Sequence, residues 1–533
     1  MKSSKLILIL TLLFISVKAA LSQDVQKMVV AHYMTGMPIY SNSVADLKKE
    51  MVEAHNLGVD AFQLNMNSWN YVDYKLTVAN MYQAASECAF PFYLFPSAGF
   101  GISSNAAILP WSYNDIKDYL QLYANHPNQL KVNGCPLFTS WLGENMGVEF
   151  WKSTKKSLLD SCGINMFYVP WHAAFLAYGS TTPLTAAIID KYLLDWNGVI
   201  DGFFWWGASR SPFSVGSSPE ITAAKSIPTA AEYLSDALKA KSMLFMTPVV
   251  PSFWATCKDP CKYTEHFGAK SLESQWMSIV NKQTARWVNM VTWNDKGEDT
   301  HWSPILIPST TPKVAVYSHA GYGELNKYYM QWWKTGQKPF IEKDKIFYFY
   351  KNQFQNAVPF TETCTFNCND TLPDKIYVTT MLGTPGQLTI NSGDKTTYYD
   401  APAGVLYWEA DMGEGMQRFK LTRNGKVLID ATGGMLVTKI PEYKSRSSYS
   451  GFCEASVINT MVAQTTEDNF ISISEKSIQS TKSGVIQLYN FQGIKVLEYQ
   501  IISSLEINLS TGIYFVKFIG DDKSVENVKM WIK

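Results

Sequence analysis

The sequence has little charge and no excess of either sign. Of its 533 residues, 17% are charged, and 46 basic side chains balance 46 acidic ones. A chain without net charge gives no electrostatic reason to expect nucleic acid or an anionic membrane surface as a partner. Because 46% of the residues are hydrophobic, the chain can build a large core and shows no sign of global disorder. Its length predicts two to four domains.

After its N-terminus the sequence lacks any apolar run long enough to span a membrane. The N-terminus itself has the pattern of a secretory signal peptide, in which two lysines precede an apolar block at 6–17 and a small-residue motif ends at Ser22. We therefore predict a signal peptide over 1–22, cleavage before Gln23, and a secreted, extracellular or cell-surface protein. A buried first helix is the alternative.

The eight cysteines have no spacing typical of a strong metal site. The close pairs Cys257/Cys261 and Cys364/Cys368 allow local disulfides in a secreted chain. His266 is the histidine nearest to the first pair, which makes only a weak zinc motif, so no metal or cofactor is predicted. Buried free thiols are predicted for the cysteines in apolar surroundings, which are Cys88, Cys135 and Cys162.

From about residue 27 to residue 310, short apolar runs alternate with amphipathic segments. The first amphipathic segment has helix signals, with Ser43 and Asp46 at its start and Gly58 at its end. Eight such repeats predict an α/β fold of the (β/α)8 TIM barrel type. A doubly wound open sheet competes, but no glycine-rich phosphate loop follows the first strand. The predicted strands are KMVVAHYM, VDAFQLNMN, FPFYLFPSA, CPLFTSWLG, NMFYVPWH, VIDGFFWWG, SMLFMTPVV and VNMVTWND.

Two β-rich regions follow the predicted barrel, which we place at 23–335. Alternating strands predict an antiparallel β-sandwich over 336–450, and RNGK (423–426) predicts a hairpin within it. Residues 451–468 are predicted to be a linker. Residues 469–533 predict a small β-rich C-terminal domain.

Functional residues of a TIM barrel lie at the C-terminal ends of its strands. No Ser/His/Asp order and no nucleophile elbow is found there. Polar groups that can bind sugar hydroxyls, and aromatic rings that can stack on sugar faces, collect at these ends instead. Each also has a structural alternative, such as a core histidine, a packing tryptophan or a solvated acid, and of two adjacent tryptophans at most one faces the interior. The candidate substrate-binding residues are His32, Tyr33, Asn65, Glu144, Trp171, Trp205, Trp206, Trp254, Trp293 and Asn294.

Two acids, Asp295 and Glu298, end the predicted eighth strand in the segment VTWNDKGE. Gly297 permits a bend that aims both side chains into one cleft. Glycoside hydrolysis needs such a pair, because one acid must protonate the leaving oxygen while the other, ionised, activates water or attacks carbon. A plain surface turn is the alternative.

These segments resemble glycoside hydrolase family 71, the α-1,3-glucanases or mutanases. TWNDKGE is similar to the family motif TWNDYGE, VVAHYMTG (29–36) to FAHYMVG, and the segment at 123–144 to YASHPAQLKYNGKPFVSTFEGD. The resemblance covers roughly 27–310 and implies inverting hydrolysis of α-1,3-glucosidic bonds, without a cofactor, by Asp295 and Glu298. We assign Glu298 as general acid and Asp295 as general base, and the sequence leaves that order open.

The chain departs from the family pattern at two places near the expected cleft. Lys296 replaces the usual tyrosine, and VPSFWAT (250–256) replaces SPWFFTH. These changes leave linkage preference open. The substrate expected is the polysaccharide α-1,3-glucan, and the alternatives are another α-glucan linkage or a non-catalytic glycan-binding protein on the same barrel.

The C-terminal segment shows a second resemblance. The hairpin around GVIQLYNFQGIKVLE, the motif LSTGIYFVK and the basic end are similar to the sorting domain of type IX secretion. This resemblance implies a partner in the secretion machinery that recognises the tail. An ordinary accessory β-domain is the alternative.

Overall fold

A computed structural model gives the fold of the chain. It describes residues 27–101, 110–172, 185–213, 226–255, 262–282, 285–304, 317–357, 373–441, 445, 447–455, 471–473, 477–490, 495–507, 509, 512–522 and 524–532. The predicted signal peptide and both predicted disulfide pairs lie outside these residues. The chain divides into two compact units, which end and begin between Ala455 and Ser456.

Eight parallel strands form the main sheet of the first unit. Each overlaps one of the eight predicted apolar runs, and β3 and β11 extend one residue beyond theirs, to Gly99 and Trp287, so the existence and order of the strands are confirmed. The last strand ends at Met290, however, which puts Asp295 and Glu298 in the following loop rather than at the strand end. The strands are β1 (Met28–Met34), β2 (Ala61–Met66), β3 (Tyr93–Gly99), β5 (Cys135–Trp141), β6 (Phe167–Trp171), β7 (Gly202–Phe204), β8 (Leu244–Val249) and β11 (Trp287–Met290).

The strand order is β6-β5-β3-β2-β1-β11-β8-β7, and all neighbours run parallel. The two outer strands are also linked. The N–H of Asp201 donates to the carbonyl of Tyr168 (2.8 Å), and the N–H of Tyr168 donates to Asp201 Oδ2 (2.7 Å). The α/β prediction is therefore confirmed as a TIM-like parallel sheet.

Helices connect these strands and pack their apolar faces onto the sheet. Ser43 caps the first helix by accepting the N–H of Asp46 (3.2 Å), as predicted. The described helices are α1 (Val44–Asn56), α2 (Val72–Ser86), α3 (Tyr113–Tyr123), α4 (Val148–Cys162), α5 (Ala186–Asp195), α6 (Ile227–Ala240), α7 (Lys270–Lys282) and α8 (Ala320–Thr335). Among them no helix is both long and apolar enough to cross a membrane.

Short strands supplement the main sheet. The strand β4 (Lys131–Val132) pairs with β5, and β9 (Phe253–Ala255) pairs with β10 (Lys262–Thr264), both antiparallel. A 3-10 turn at Gly143–Met146 follows β5.

Two four-stranded antiparallel sheets, ordered β16-β13-β12-β19 and β15-β14-β17-β18, complete the first unit. Their facing side chains share one apolar core, as the predicted sandwich requires. Asn424 and Gly425, both at positive φ, turn the predicted hairpin. The strands are β12 (Lys345–Lys351), β13 (Lys375–Leu382), β14 (Gly386–Ser392), β15 (Lys395–Ala401), β16 (Gly404–Asp411), β17 (Gly415–Arg423), β18 (Lys426–Val437) and β19 (Ser448–Glu454).

The second unit is β-rich in its described part, with a three-stranded and a four-stranded antiparallel sheet. Its strands are β20 (Ile471–Ile473), β21 (Ser477–Ser480), β22 (Gly484–Asn490), β23 (Lys495–Ile501), β24 (Ser504–Glu506), β25 (Gly512–Gly520) and β26 (Val525–Ile532).

Two expectations need correction. The strand β19 reaches Glu454, so residues 451–454 belong to the sandwich rather than to the linker. The predicted buried thiols are free but only half-buried, because each lies near the end of its element, where packing is incomplete; they are Cys88, Cys135 and Cys162.

Candidate active site

The loop that carries the two acids is closed at its base by Thr292 and Thr300. The N–H of Thr292 donates to the carbonyl of Thr300 (2.8 Å), and their hydroxyls lie 3.1 Å apart. The N–H of Trp293 donates to the carbonyl of His32 in β1 (2.7 Å). These bonds fix the loop to the C-terminal end of the parallel sheet, where TIM-like folds place their chemistry.

Asp295 caps the turn that carries Glu298. Its Oδ1 accepts the backbone N–H of Glu298 (3.1 Å), and its own N–H donates to the Thr292 hydroxyl (2.8 Å). The bend was predicted at Gly297, but the residue in the left-handed region is Asp299, with φ 53°. The hydrogen bond from the Glu298 N–H to the Asp295 side chain stabilises the bend. The sequence prediction considered only the glycine and did not include this bond.

The backbone of Glu298 is held from the other side by Trp254. The N–H of Trp254 in β9 donates to the Glu298 carbonyl (2.9 Å). The Glu298 side chain is half-buried, whereas Asp295 is buried with 8% of its surface exposed. Trp254 is thus placed next to the acids through its main chain, while its ring is buried.

A hydrogen-bonded network lies beside this loop, on the concave face of the sheet. His32 Nδ1 donates to Gln63 Oε1 (3.0 Å), and Asn65 Nδ2 donates to His32 Nε2 (2.7 Å). Gln63 Nε2 donates to the Thr139 hydroxyl (2.8 Å). Burial lowers the pKa of His32 to about 4, so the ring is neutral at pH 7 and one nitrogen donates while the other accepts.

Aromatic rings surround the network on the same face. The Trp206 ring meets His32 edge-on, with the ring centroids 4.6 Å apart, and contacts Trp141 at 5.4 Å. Trp141 stacks on Trp171 at 4.0 Å. The structure therefore brings together His32, Asn65, Trp171 and Trp206 from the predicted set. Trp205 is buried, and no ring contact of Trp205 with this group occurs in the described part of the chain.

Tyr33 and Trp293 lie on the opposite, helix-covered face. Trp293 Nε1 donates to Glu50 Oε2 of α1 (3.1 Å), and burial and Glu50 raise the pKa of Tyr33. The rings of both residues pack on Phe62, at 4.9 and 5.6 Å. The structure therefore does not bring these two predicted substrate-binding residues to the face that carries His32. For Tyr33 the reason is that side chains alternate along a strand and Tyr33 directly follows His32 in β1.

Asn294 was also predicted to contact substrate, but its polar atoms bind backbone. Its Oδ1 accepts the N–H of Met34 (2.7 Å), and its Nδ2 donates to the carbonyls of Met34 (3.1 Å) and Met37 (2.7 Å). The residue is fully buried. Asn294 therefore fastens the loop after β1 to the loop with the acids.

Glu144 lies in the 3-10 turn after β5 and is half-buried. Its charge acts on two buried phenols, and it contributes to raising the pKa of both Tyr168 and Tyr192, below the larger effect of burial. Glu144 is thus at a strand end, as predicted, and its electrostatic neighbours are tyrosines.

A buried polar cluster of Asp299, His301 and His319 lies behind the acid loop. His319 Nδ1 faces the carbonyl of His301 (2.6 Å) and Nε2 that of Ser448 (3.1 Å), with Asp299 Oδ1 at 3.7 Å. Burial raises the pKa of Asp299 to about 8 and lowers that of His319 to about 4, so between these values Asp299 is protonated and His319 is neutral.

The cluster has a donor set that suits a metal, but its geometry does not. The rings of His301 and His319 stack with centroids 3.9 Å apart and an interplanar angle of 8°. Imidazole lone pairs lie in the ring plane, so one ion cannot lie in both planes at bonding distance. We therefore interpret the cluster as a hydrogen-bonded support.

Gln63 and Thr139 were missed by sequence reasoning. Gln63 is two residues before Asn65 in β2, and a period of two puts both on one face, so the strand rule contained this signal. Asp299 and His319 gave no such signal, because their partners come from distant segments.

Known proteins that are similar to this chain are glycoside hydrolases. The family model "Glycosyl hydrolase family 71" matches residues 25–472. A mutanase of Penicillium rubens is 27% identical over 433 residues, which cover 78% of this chain and 86% of that protein. A glucan endo-1,3-alpha-glucosidase of Schizosaccharomyces pombe is 24% identical over 84% of this chain and 99% of that protein. Among solved structures, a GH99 endo-alpha-mannosidase of Bacteroides thetaiotaomicron matches 58% of this chain and 98% of that chain, at TM-score 0.43 and 12% identity.

Proposed function

The chain belongs to glycosyl hydrolase family 71 and is a glycoside hydrolase, and on that premise we propose that it hydrolyses the α-1,3-glucosidic bonds of α-1,3-glucan. One observation supports this most: Asp295 and Glu298 lie in a single hydrogen-bonded turn at the C-terminal end of the parallel sheet. The curated relatives are a mutanase and a glucan endo-1,3-alpha-glucosidase, which favours the same substrate here.

The proposed mechanism is inverting, with Glu298 as general acid and Asp295 as general base. The N–H of Glu298 donates to Asp295, and a donor on a carboxylate oxygen favours the ionised form that a base needs. The backbone N–H and carbonyl of Glu298 bond to Asp295 and Trp254, and these bonds fix the position of its Cα in the turn. An acid of this kind protonates the leaving oxygen while the base activates water on the opposite face of the sugar.

We propose that the sugar ring next to the acids lies over His32, Asn65, Trp171 and Trp206. A neutral imidazole and an amide are suited to hydroxyl groups, and indole rings are suited to the apolar sugar face. This proposal includes closure of the parallel sheet into a (β/α)8 barrel between β6 and β7, which the Asp201–Tyr168 bonds support.

Linkage preference is the part of the proposal that Lys296 can alter. Lys296 is half-buried in the turn between the two acids, and burial lowers its pKa. Within the described residues it has no ion-pair partner. A different α-glucan linkage is accordingly the second candidate substrate.

A panel of polysaccharides tests the proposed function. The protein is incubated with α-1,3-, α-1,4- and β-1,3-glucan, and reducing ends are measured together with the anomer first released, read by NMR. We expect release from α-1,3-glucan with inverted configuration. Release from α-1,4-glucan alone would replace the substrate, and a retained anomer would contradict the mechanism.

We further propose that the protein is exported, with the signal peptide at 1–22 and the β-rich C-terminal unit as export signals. The signal-peptide pattern of the N-terminus and the resemblance of the C-terminal segment to a sorting domain support this. Mass spectrometry of the protein in culture medium tests it: a mature N-terminus at Gln23 is expected, and retention of full-length chain in the cell would contradict it.

A further inference from the structure

Asp299 follows the candidate acid Glu298 directly and is itself buried, with 2% of its surface exposed. Its backbone is left-handed, with φ 53°, and its side chain contacts Ser252 and Ser448. A carboxyl group buried at this position needs hydrogen-bond partners, since a buried polar group without partners is costly.

Two donors reach one oxygen of Asp299. The hydroxyl of Ser252, which follows β8, and the backbone N–H of Ser448 both lie 2.9 Å from Oδ2. The Ser252 hydroxyl also donates to the carbonyl of Asp299. The residue after Glu298 is therefore held at both its side chain and its main chain.

Ser448 belongs to the sandwich. It is the first residue of β19 and pairs with Lys351 of β12. Its carbonyl lies 3.1 Å from Nε2 of His319, which precedes α8. The sandwich therefore contacts the Asp299–His301–His319 cluster at two points, through the N–H and the carbonyl of Ser448. The donor that holds Asp299 is thus rigid, because it is the backbone of a paired strand.

We propose that Asp299 is a positioning residue for the hydrolytic reaction: held by Ser252 and by the Ser448 N–H, it orients the side chain of Glu298. The β-sandwich is then a working part of the active site. This inference rests on the proposed role of Glu298. The bonds to Asp295 and Trp254 hold the backbone of Glu298 itself, and Asp299 adds an anchor to the sandwich at the next residue.

The expected effect is on the chemical step. A shift of about 1 Å in a catalytic group costs about 100-fold in rate, whereas substrate contacts on the sheet face are unaffected. Asp299→Ala removes the oxygen that accepts both donors and so loosens the anchor. We expect kcat on a soluble α-1,3-gluco-oligosaccharide to fall about 10- to 100-fold with KM within about twofold.

The experiment compares the full-length wild type with Asp299→Ala, Ser252→Ala, Ser252→Thr and the control Asp344→Ala. Asp344 also accepts a backbone N–H, from Gly383 (2.9 Å), and pairs with Arg423 (2.8 Å), and among the described residues its side chain has no hydrogen bond to the acid loop. The measurements are kcat, KM and the free energy of unfolding. We expect a loss of kcat in Ser252→Ala that Ser252→Thr restores, and only a loss of stability in Asp344→Ala.

Wild-type kcat in Asp299→Ala and Ser252→Ala would overturn the proposal, even if stability falls, because a merely structural role predicts that pattern. If Asp299→Ala does not fold, the two Ser252 variants decide. Glu298→Gln is measured alongside. An inactive Glu298→Gln with fully active Asp299→Ala defeats only the positioning role, whereas an active Glu298→Gln defeats the proposed mechanism itself.

Discussion

The Oδ1 atom of Asp295 lies 3.1 Å from the backbone nitrogen of Glu298, so one candidate catalytic acid forms the turn that presents the other. Structure and chemistry therefore depend on the same carboxylate. A substitution at Asp295 has two separable effects, one on the turn and one on the reaction.

The first prediction separates these effects. Asp295→Asn keeps the Oδ1 acceptor, so the turn stays while the base is lost, and kcat should fall about 100- to 10,000-fold with stability close to wild type. Asp295→Ala also loses the cap, and its free energy of unfolding should be lower than that of Asp295→Asn by about 0.5–2 kcal/mol, the usual cost of a lost cap. Urea unfolding and initial rates measure both. Near-normal turnover in Asp295→Asn would remove this residue from the mechanism.

A second prediction concerns Asn294. Because its side chain makes three hydrogen bonds to the backbone of Met34 and Met37, Asn294→Ala should lower the free energy of unfolding by about 1–3 kcal/mol. The contrasting variant is Asn65→Ala on the concave face, which should raise KM for a soluble oligosaccharide with less loss of stability. Unchanged stability and weaker oligosaccharide binding in Asn294→Ala would instead identify a sugar contact.

A third prediction follows from Glu50, which accepts the N–H of Ile39 (2.7 Å) and Nε1 of Trp293 (3.1 Å). Burial raises its pKa from 4.5 to about 7. Between these values the folded state holds a proton that the unfolded state has lost, so this group makes stability fall as pH rises, by about 3 kcal/mol in total.

Glu50→Gln removes this contribution. The stability of the variant relative to wild type should therefore increase between pH 5 and pH 8, as measured by urea unfolding at both values. A relative stability that is constant, or that decreases with pH, would show that Glu50 is already ionised at pH 5 in the folded protein.

The parallel sheet could be predicted because each of its strands is a short apolar run between helix signals, and burial on both faces demands such runs. The helix start at Ser43 and the hairpin at Asn424–Gly425 were equally local signals, since a cap or a primed turn involves residues a few positions apart. The face on which Tyr33 lies could have been predicted, because side chains alternate along β1 and Tyr33 directly follows His32. Trp293 could not be placed in this way, because β11 ends at Met290 and alternation does not extend into the loop.

The support behind the acids lay beyond sequence reasoning altogether. Asp299 and Ser448 are 149 residues apart, and the bond between them exists only because the sandwich packs against the acid loop. Such a contact has no local pattern. Gln63, in contrast, shares a strand face with Asn65 and could have been predicted by alternation.

The central claim is that Glu298, in the turn capped by Asp295, performs the hydrolysis of α-1,3-glucan. The most direct measurement is the initial rate of reducing-end release from α-1,3-glucan by wild type and by Glu298→Gln, with unfolding curves confirming that both are folded. The account predicts release by the wild type and a fall of about 100- to 10,000-fold in the variant. Release by folded Glu298→Gln at the wild-type rate would contradict it.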